Sequence, residues 1–178
     1  MTDQLRSCTI ALLIACSGGD VLNPALAATP VLIDYGPAPD FAGIEKWLNS
    51  EPLAMASLRG KVVLVDFWTY SCINCLRTLP YVTKWYDSYK DKGLVVIGVH
   101  TPEFAFERQT RNVQTAIKRF KINYPVAQDN RYATWKAYDN QYWPAAYLID
   151  RKGTIVLKHI GEGKYDEMEN AIRVLLSK

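Results

Sequence analysis

The chain has 178 residues, 49% hydrophobic and 22% charged, a balance that supports one domain with a buried core and leaves no room for a second of full size. A net charge of +3 falls far short of the Lys/Arg clustering of a nucleic-acid binder, and no run of about 18 apolar residues offers a membrane span. Four cysteines, Cys8, Cys16, Cys72 and Cys75, are too few and too unevenly spread for a disulfide scaffold.

The first stretch with a pattern runs from Cys8 to Cys16 (CTIALLIAC), uncharged and mostly apolar behind a polar start that carries Arg6. It resembles the n- and h-regions of an export segment and is too short to span a bilayer. Two processing routes are open. Ala25-Leu26-Ala27 has the small residues of a cleavage site, making 1–27 a signal segment. Leu13-Ile14-Ala15-Cys16 resembles a bacterial lipobox, with 1–15 removed and Cys16 lipidated; its acyl chains would then be the only membrane contact. Both routes place the protein in a bacterial periplasm or on the extracytoplasmic face of a membrane; an uncleaved cytosolic chain is the third alternative.

Residues 28–40 carry Pro30, Pro37 and Pro39 and are expected to run extended into a domain spanning 41–178. Trp47-Leu48 reads as a small apolar anchor. After a turn at Leu58-Arg59-Gly60-Lys61, Val62 to Trp68 (VVLVDFW) is a β-branched and aromatic run suited to a central parallel strand buried on both faces. Apolar residues three or four apart from Cys75 to Lys92 predict a helix stopped by Gly93, and Leu94 to Val99 (LVVIGV) a second buried strand. Thr101-Pro102 reads as the cap and first residue of another helix, with Phe106, Val113, Ile117 and Phe120 toward the core. A short strand at 124–127, a short helix over 132–138, a hairpin from strands 146–150 and 154–160, and a last helix over 165–176 complete the chain.

The chemistry is concentrated at Cys72-Ile73-Asn74-Cys75, directly after a buried strand and in the first turn of a helix. There the unpaired N–H groups and the positive end of the helix dipole stabilise a thiolate on the first cysteine. Cys72 is then the nucleophile, and Cys75, one turn further in, attacks the mixed disulfide that Cys72 forms. A zinc pair needs about two further ligands, and the remaining candidates are His100 and His159. A purely structural disulfide would close too small a loop to remove much unfolded-state entropy. A redox pair needing no bound metal or organic cofactor, only its own Cys72–Cys75 disulfide, is the favoured reading.

Several motifs together carry a resemblance: Val65-Asp66-Phe67-Trp68, the C-x-x-C, Pro80 five residues beyond it, Trp143-Pro144 before a strand and Gly161 after the last one. The chain resembles a thioredoxin-like α/β fold, a central mixed sheet flanked by helices, with an N-terminal extension and an extra strand–helix insertion. From Asp40 to Leu176 it is similar to exported TlpA-like thiol–disulfide oxidoreductases. Within these it resembles the thioredoxin-like domain of DipZ proteins, through the run from Trp68 to Pro80, His100-Thr-Pro-Glu-Phe104 and Tyr142-Trp143-Pro144.

The resemblance implies that Asp66 is a buried carboxylate that moves the proton of the resolving thiol, and that Pro144 is a cis-proline facing the disulfide. It also implies that Trp143 pairs through its backbone with a substrate segment, and that Trp68 and Tyr70 form part of an apolar rim. Glu103 is a weaker candidate for proton transfer. The expected partner is a protein with a disulfide, reduced by this chain. The expected electron donor is a separate membrane protein of the DsbD or CcdA type, since this sequence carries no membrane-embedded electron-transfer domain. The alternatives are a thiol peroxidase, for which no supporting Thr/Arg set surrounds Cys72, and a copper-handling metallochaperone using Cys72, Cys75 and His100.

Overall fold

A computed structural model describes residues 30–178; Cys8, Cys16 and the export segment expected over 1–27 lie outside the described residues. Six strands form one mixed sheet in the order β1-β4-β3-β2-β5-β6. They are β1 (Lys46–Leu48), β2 (Val62–Trp68), β3 (Leu94–His100), β4 (Val126–Gln128), β5 (Ala145–Ile149) and β6 (Ile155–Ile160). Helices α1 (Ile73–Tyr89), α2 (Thr110–Arg119), α3 (Ala133–Ala137) and α4 (Tyr165–Leu176) flank it. No helix among the described residues is long and apolar enough to cross a membrane.

Every residue of β2 is buried, because its alternating side chains enter two different cores. Val62, Leu64 and Trp68 pack with Leu79, Val82 and Trp85 of α1 and Ile172 of α4. Val63, Val65 and Phe67 pack on the opposite face with Trp135 of α3, Tyr138 and Tyr147. The strand is central as expected, but it is parallel only to β3; β5 runs antiparallel to it. The tight turn at 150–154, in which Asp150 accepts the N–H groups of Lys152 and Thr154 at 2.9 Å each, then reverses the chain from β5 into β6.

Helix α1 begins where Cys72 caps it and ends in a short 3-10 turn at Lys90–Lys92, with Gly93 at φ 102° as the stop. Upstream, the segment before the domain runs extended along β6: Ile33 and Tyr35 donate N–H bonds to Val156 and Ile155 carbonyls at 2.9 and 3.0 Å, and Pro37 bridges Thr154.

Two sequence expectations need correction. Trp47-Leu48 is not merely an apolar anchor; it lies in β1, paired antiparallel with β4. Thr101-Pro102 does not open a helix. The chain instead makes a 3-10 turn at Ala105–Arg108, and α2 starts at Thr110. The Glu107 carboxylate explains this, since it accepts the N–H groups of Glu103 and Phe104 and closes the turn on itself. Phe106, expected in the core, is therefore 51% exposed and stacks on Phe104 at 5.5 Å.

Candidate active site

The strand-to-helix turn after β2 places the two cysteines differently. Cys72 is the N-cap of α1, half-buried, with its Sγ accepting the Cys75 N–H at 3.3 Å. Its carbonyl accepts the Leu76 N–H at 3.0 Å, so the residue is held by α1's first turn on both sides. Cys75 is buried in the core cluster that also holds Trp68 and Leu79, and both thiols are free. Burial pushes the Cys75 thiol far above its ordinary range, and the neighbouring Cys72 sulfur and Asp66 carboxylate push it further. Sterically, only Cys72 is placed to meet an incoming group.

Asp66 lies on β2, on the face that packs against α1, and is 1% exposed. Its Oδ1 has no hydrogen-bond partner among the described residues. Burial alone raises its pKa to about 7, so near neutrality the carboxylate exchanges a proton readily. That charge acts on the Cys75 thiol, which makes Asp66 a buried carboxylate acceptor coupled to the buried cysteine.

The Trp143–Pro144 peptide bond is cis. Trp143 is half-buried; its indole donates to the Thr101 carbonyl at 3.1 Å and its ring lies 4.1 Å from that of Trp135. Ala145, directly after Pro144, pairs with Phe67 at the end of β2, so the loop before β5 and the turn that carries the cysteines share one end of the sheet; Cys72, Tyr70 and Trp143 pack against the same core cluster there. Trp68 does not join them at the surface. It is 0% exposed, because its position in β2 continues the inward face of Val62 and Leu64, and it cannot form a substrate rim. Tyr70, two residues on and past the strand's end, is half-buried and stacks on His100 at 5.6 Å.

His100 is fully buried, with Nε2 3.3 Å from the Thr69 hydroxyl. Burial lowers its pKa to about 4 despite the pull of Glu107, which keeps it neutral. Among the described residues no three His, Cys, Asp or Glu side chains gather as a metal-ligating group.

Glu103, the sequence candidate for proton transfer, is exposed and contributes only its N–H to the site. The buried acid is Glu107, which sequence reasoning missed. It is 0% exposed and its carboxylate is ringed by donors. Oε1 accepts the Ser71 hydroxyl at 2.6 Å and the Ser71 N–H at 3.3 Å. Oε2 accepts the N–H groups of Glu103 and Phe104 at 2.6 and 2.9 Å, and the Thr69 hydroxyl also bonds to the group. Burial would raise its pKa, but the bonds from Ser71, Thr69 and the two backbone groups outweigh it and hold the carboxyl below its ordinary range. The available sequence sign was an acid three residues after Phe104, the spacing at which a side chain reaches back to a helix-start N–H.

Comparison with known proteins places this geometry. The family model described as Redoxin matches residues 36–175. Over 145 residues the chain is 55% identical to protein DipZ of Mycobacterium tuberculosis, covering 80% of this chain and 21% of DipZ. It therefore spans about one-fifth of that protein's length. It is 31% identical over 127 residues to the thiol-disulfide oxidoreductase YkuV of Bacillus subtilis, covering 71% of this chain and 84% of YkuV. Among solved structures, a thioredoxin-like protein in its oxidized form matches with a TM-score of 0.72 and 29% identity, over 79% of this chain and 95% of that one. A thiol-disulfide isomerase from Corynebacterium glutamicum matches with a TM-score of 0.69 and 27% identity, over 79% and 97%. The fold is thioredoxin-like, as the motifs imply.

Proposed function

Since the chain belongs to the Redoxin family, we propose that it is a thiol–disulfide oxidoreductase whose reacting pair is Cys72 and Cys75. The observation that carries the reading is the asymmetry of the pair: one sulfur at a helix N-cap, half-buried, and one beneath it in the core. In the forward direction the Cys72 thiolate attacks one sulfur of a partner's disulfide. A Cys72–partner mixed disulfide forms, and the partner's other sulfur leaves as a thiolate that takes up a proton. Cys75 then gives its proton to Asp66 and attacks the Cys72 sulfur. The second partner thiolate departs, leaving the partner reduced and Cys72–Cys75 oxidised.

The direction proposed for electron flow is toward the partner, with the Cys72–Cys75 dithiol as the reductant. Trp143 and Pro144, at the same end of the sheet, are the backbone that would receive a substrate segment, and Tyr70 is the aromatic side chain on that rim. The pattern of residues 1–27 supports export, and the oxidised pair would then be recharged by a membrane dithiol donor of the DsbD or CcdA type.

The direct test is reduction of insulin disulfides by the pre-reduced protein. Wild type turns over with an added thiol reductant; Cys72→Ser has no exchange above background, and full activity in that variant would overturn the assignment. Fractionation of cells expressing the full chain, with and without Cys16→Ser, separates soluble export from lipid anchoring.

A further inference from the structure

Glu107 is a fully buried anion, and among the described residues no Lys or Arg lies within ion-pair distance of it. Burying a charge without a counter-charge is costly unless hydrogen bonds replace its hydration. Here they come from two separate segments. Thr69 and Ser71 belong to the end of β2 and the redox turn; Glu103 and Phe104 belong to the loop after β3. Apolar contacts could join the same segments with less desolvation. What the carboxylate adds is direction, because charge-assisted bonds to N–H and O–H groups fix vectors as well as distances.

The fixed residue is Ser71, gripped through both its N–H and its hydroxyl, and the next residue is Cys72. We propose that Glu107 is a positioning residue for Cys72: by pinning Ser71 against the 103–104 turn, it sets the backbone that brings the Cys72 sulfur to the first turn of α1 in line for attack. The inference rests on Cys72 being the nucleophile. It adds a residue from outside the C-x-x-C helix, on the otherwise exposed turn after β3, to the machinery of the first step.

The side chain has no substitute. Both carboxylate oxygens accept from donors, so the amide of Glu107→Gln must turn its NH2 toward either the Ser71 pair or the Glu103/Phe104 pair; the Ser71 hydroxyl can turn round and accept, but at least one backbone N–H loses its acceptor and faces a donor. Glu107→Asp is one methylene too short to span them. Misplacement of a reacting atom by a fraction of an ångström to an ångström costs roughly one to two orders of magnitude in rate.

The test uses the full chain, pre-reduced, mixed with the chromogenic disulfide dithiobis(nitrobenzoate) in a stopped-flow instrument. The first coloured thiolate reports attack by Cys72, and the second reports resolution by Cys75, so one trace separates the two steps. Glu107→Gln is expected to slow the first phase about tenfold and to change the second less than about twofold. Ser71→Ala, at an exposed position, is expected to slow the first phase about threefold, and the double variant to be no slower than Glu107→Gln, because both substitutions break the same link. A first phase unchanged in both single variants, or two phases slowed in equal proportion, overturns the positioning role. A general loss of stability would slow both phases together. If Glu107→Gln fails to fold, Ser71→Ala decides the matter alone. Cys72→Ser in the same assay keeps the two readings apart: persistence of its first phase overturns Cys72 as nucleophile, whereas a silent Cys72→Ser beside a normal Glu107→Gln overturns only the inference.

Discussion

Asp66 and Gly98 stand opposite one another in the parallel β2–β3 pair, so the buried carboxylate meets a strand position with no side chain to answer it. The space above Gly98 is taken by two rings. A Cβ there would lie 2.9 Å from Trp68 Nε1 and 3.0 Å from Tyr124 Cε2, and both rings are fully buried.

Gly98→Ala is therefore expected to destabilise the protein by about 1–3 kcal/mol, the usual cost of overpacking a core whose neighbours cannot give way. Chemical denaturation of the two proteins measures it. A midpoint equal to that of wild type would show that the rings yield more easily than their burial indicates.

Asp66 also shapes stability through pH. Its folded pKa of about 7 exceeds its ordinary 3.8, so between those values the folded state holds a proton that the unfolded chain has released. Stability from this group is thus present at low pH and lost as pH rises through about 7. Asp66→Asn does not titrate, so its stability relative to wild type should climb by about 3 kcal/mol, as an order of magnitude, between about pH 5 and about pH 8. His100, whose folded pKa near 4 is depressed from 6.5, contributes the opposite slope in the acid range. It does so in both proteins, and cancels from the difference. Parallel denaturation series at the two pH values make the comparison; a difference that does not grow with pH would remove the raised pKa.

The same substitution separates the chemical steps. With no carboxylate to take the Cys75 proton, Asp66→Asn should slow release from the mixed disulfide by about tenfold or more near neutrality while leaving the Cys72 attack almost unchanged. Single-turnover kinetics resolve the two, and equal slowing of both steps would argue against proton transfer.

Cys75→Ser should accumulate partner proteins as mixed disulfides on Cys72, visible as reducible adducts after non-reducing electrophoresis, whereas Cys72→Ser should form none. Adducts in both variants, or in neither, would require a different order of attack. Identifying the trapped proteins in cells with and without each membrane dithiol donor would also give the direction of electron flow.

Local patterns in the sequence were enough for the strand–helix–strand unit around the cysteines, the β5–β6 hairpin and α4, because their signals lie in consecutive residues: a buried β-branched run, a period of three to four, a turn with Gly153. What stayed hidden depends on distant partners. β1 is only three residues, and becomes a strand because β4, far downstream, pairs with it. Trp68 read as a rim residue beside the cysteines, yet strand alternation commits it to the core. Glu107 is the sharpest case. Its donors are three backbone N–H groups and the hydroxyls of the distant Ser71 and Thr69, none of which marks itself in the sequence as the lining of a carboxylate site, whereas exposed Glu103 is the acid of the family's His-Thr-Pro-Glu-Phe run itself.

The extended segment beside β6 has one more consequence. Without it, the six residues of β6 would present an unpaired row of N–H and C=O groups, the template from which sheets add strands of other molecules. Ile33, Tyr35 and Gly36 occupy the start of that row, at Ile155 and Val156, and the opposite margin of the sheet is the three-residue β1. The polypeptide ahead of the domain thus acts as a selvedge along the start of β6, leaving the end of the sheet that carries Cys72 and the Trp143–Pro144 backbone as the place to meet other proteins.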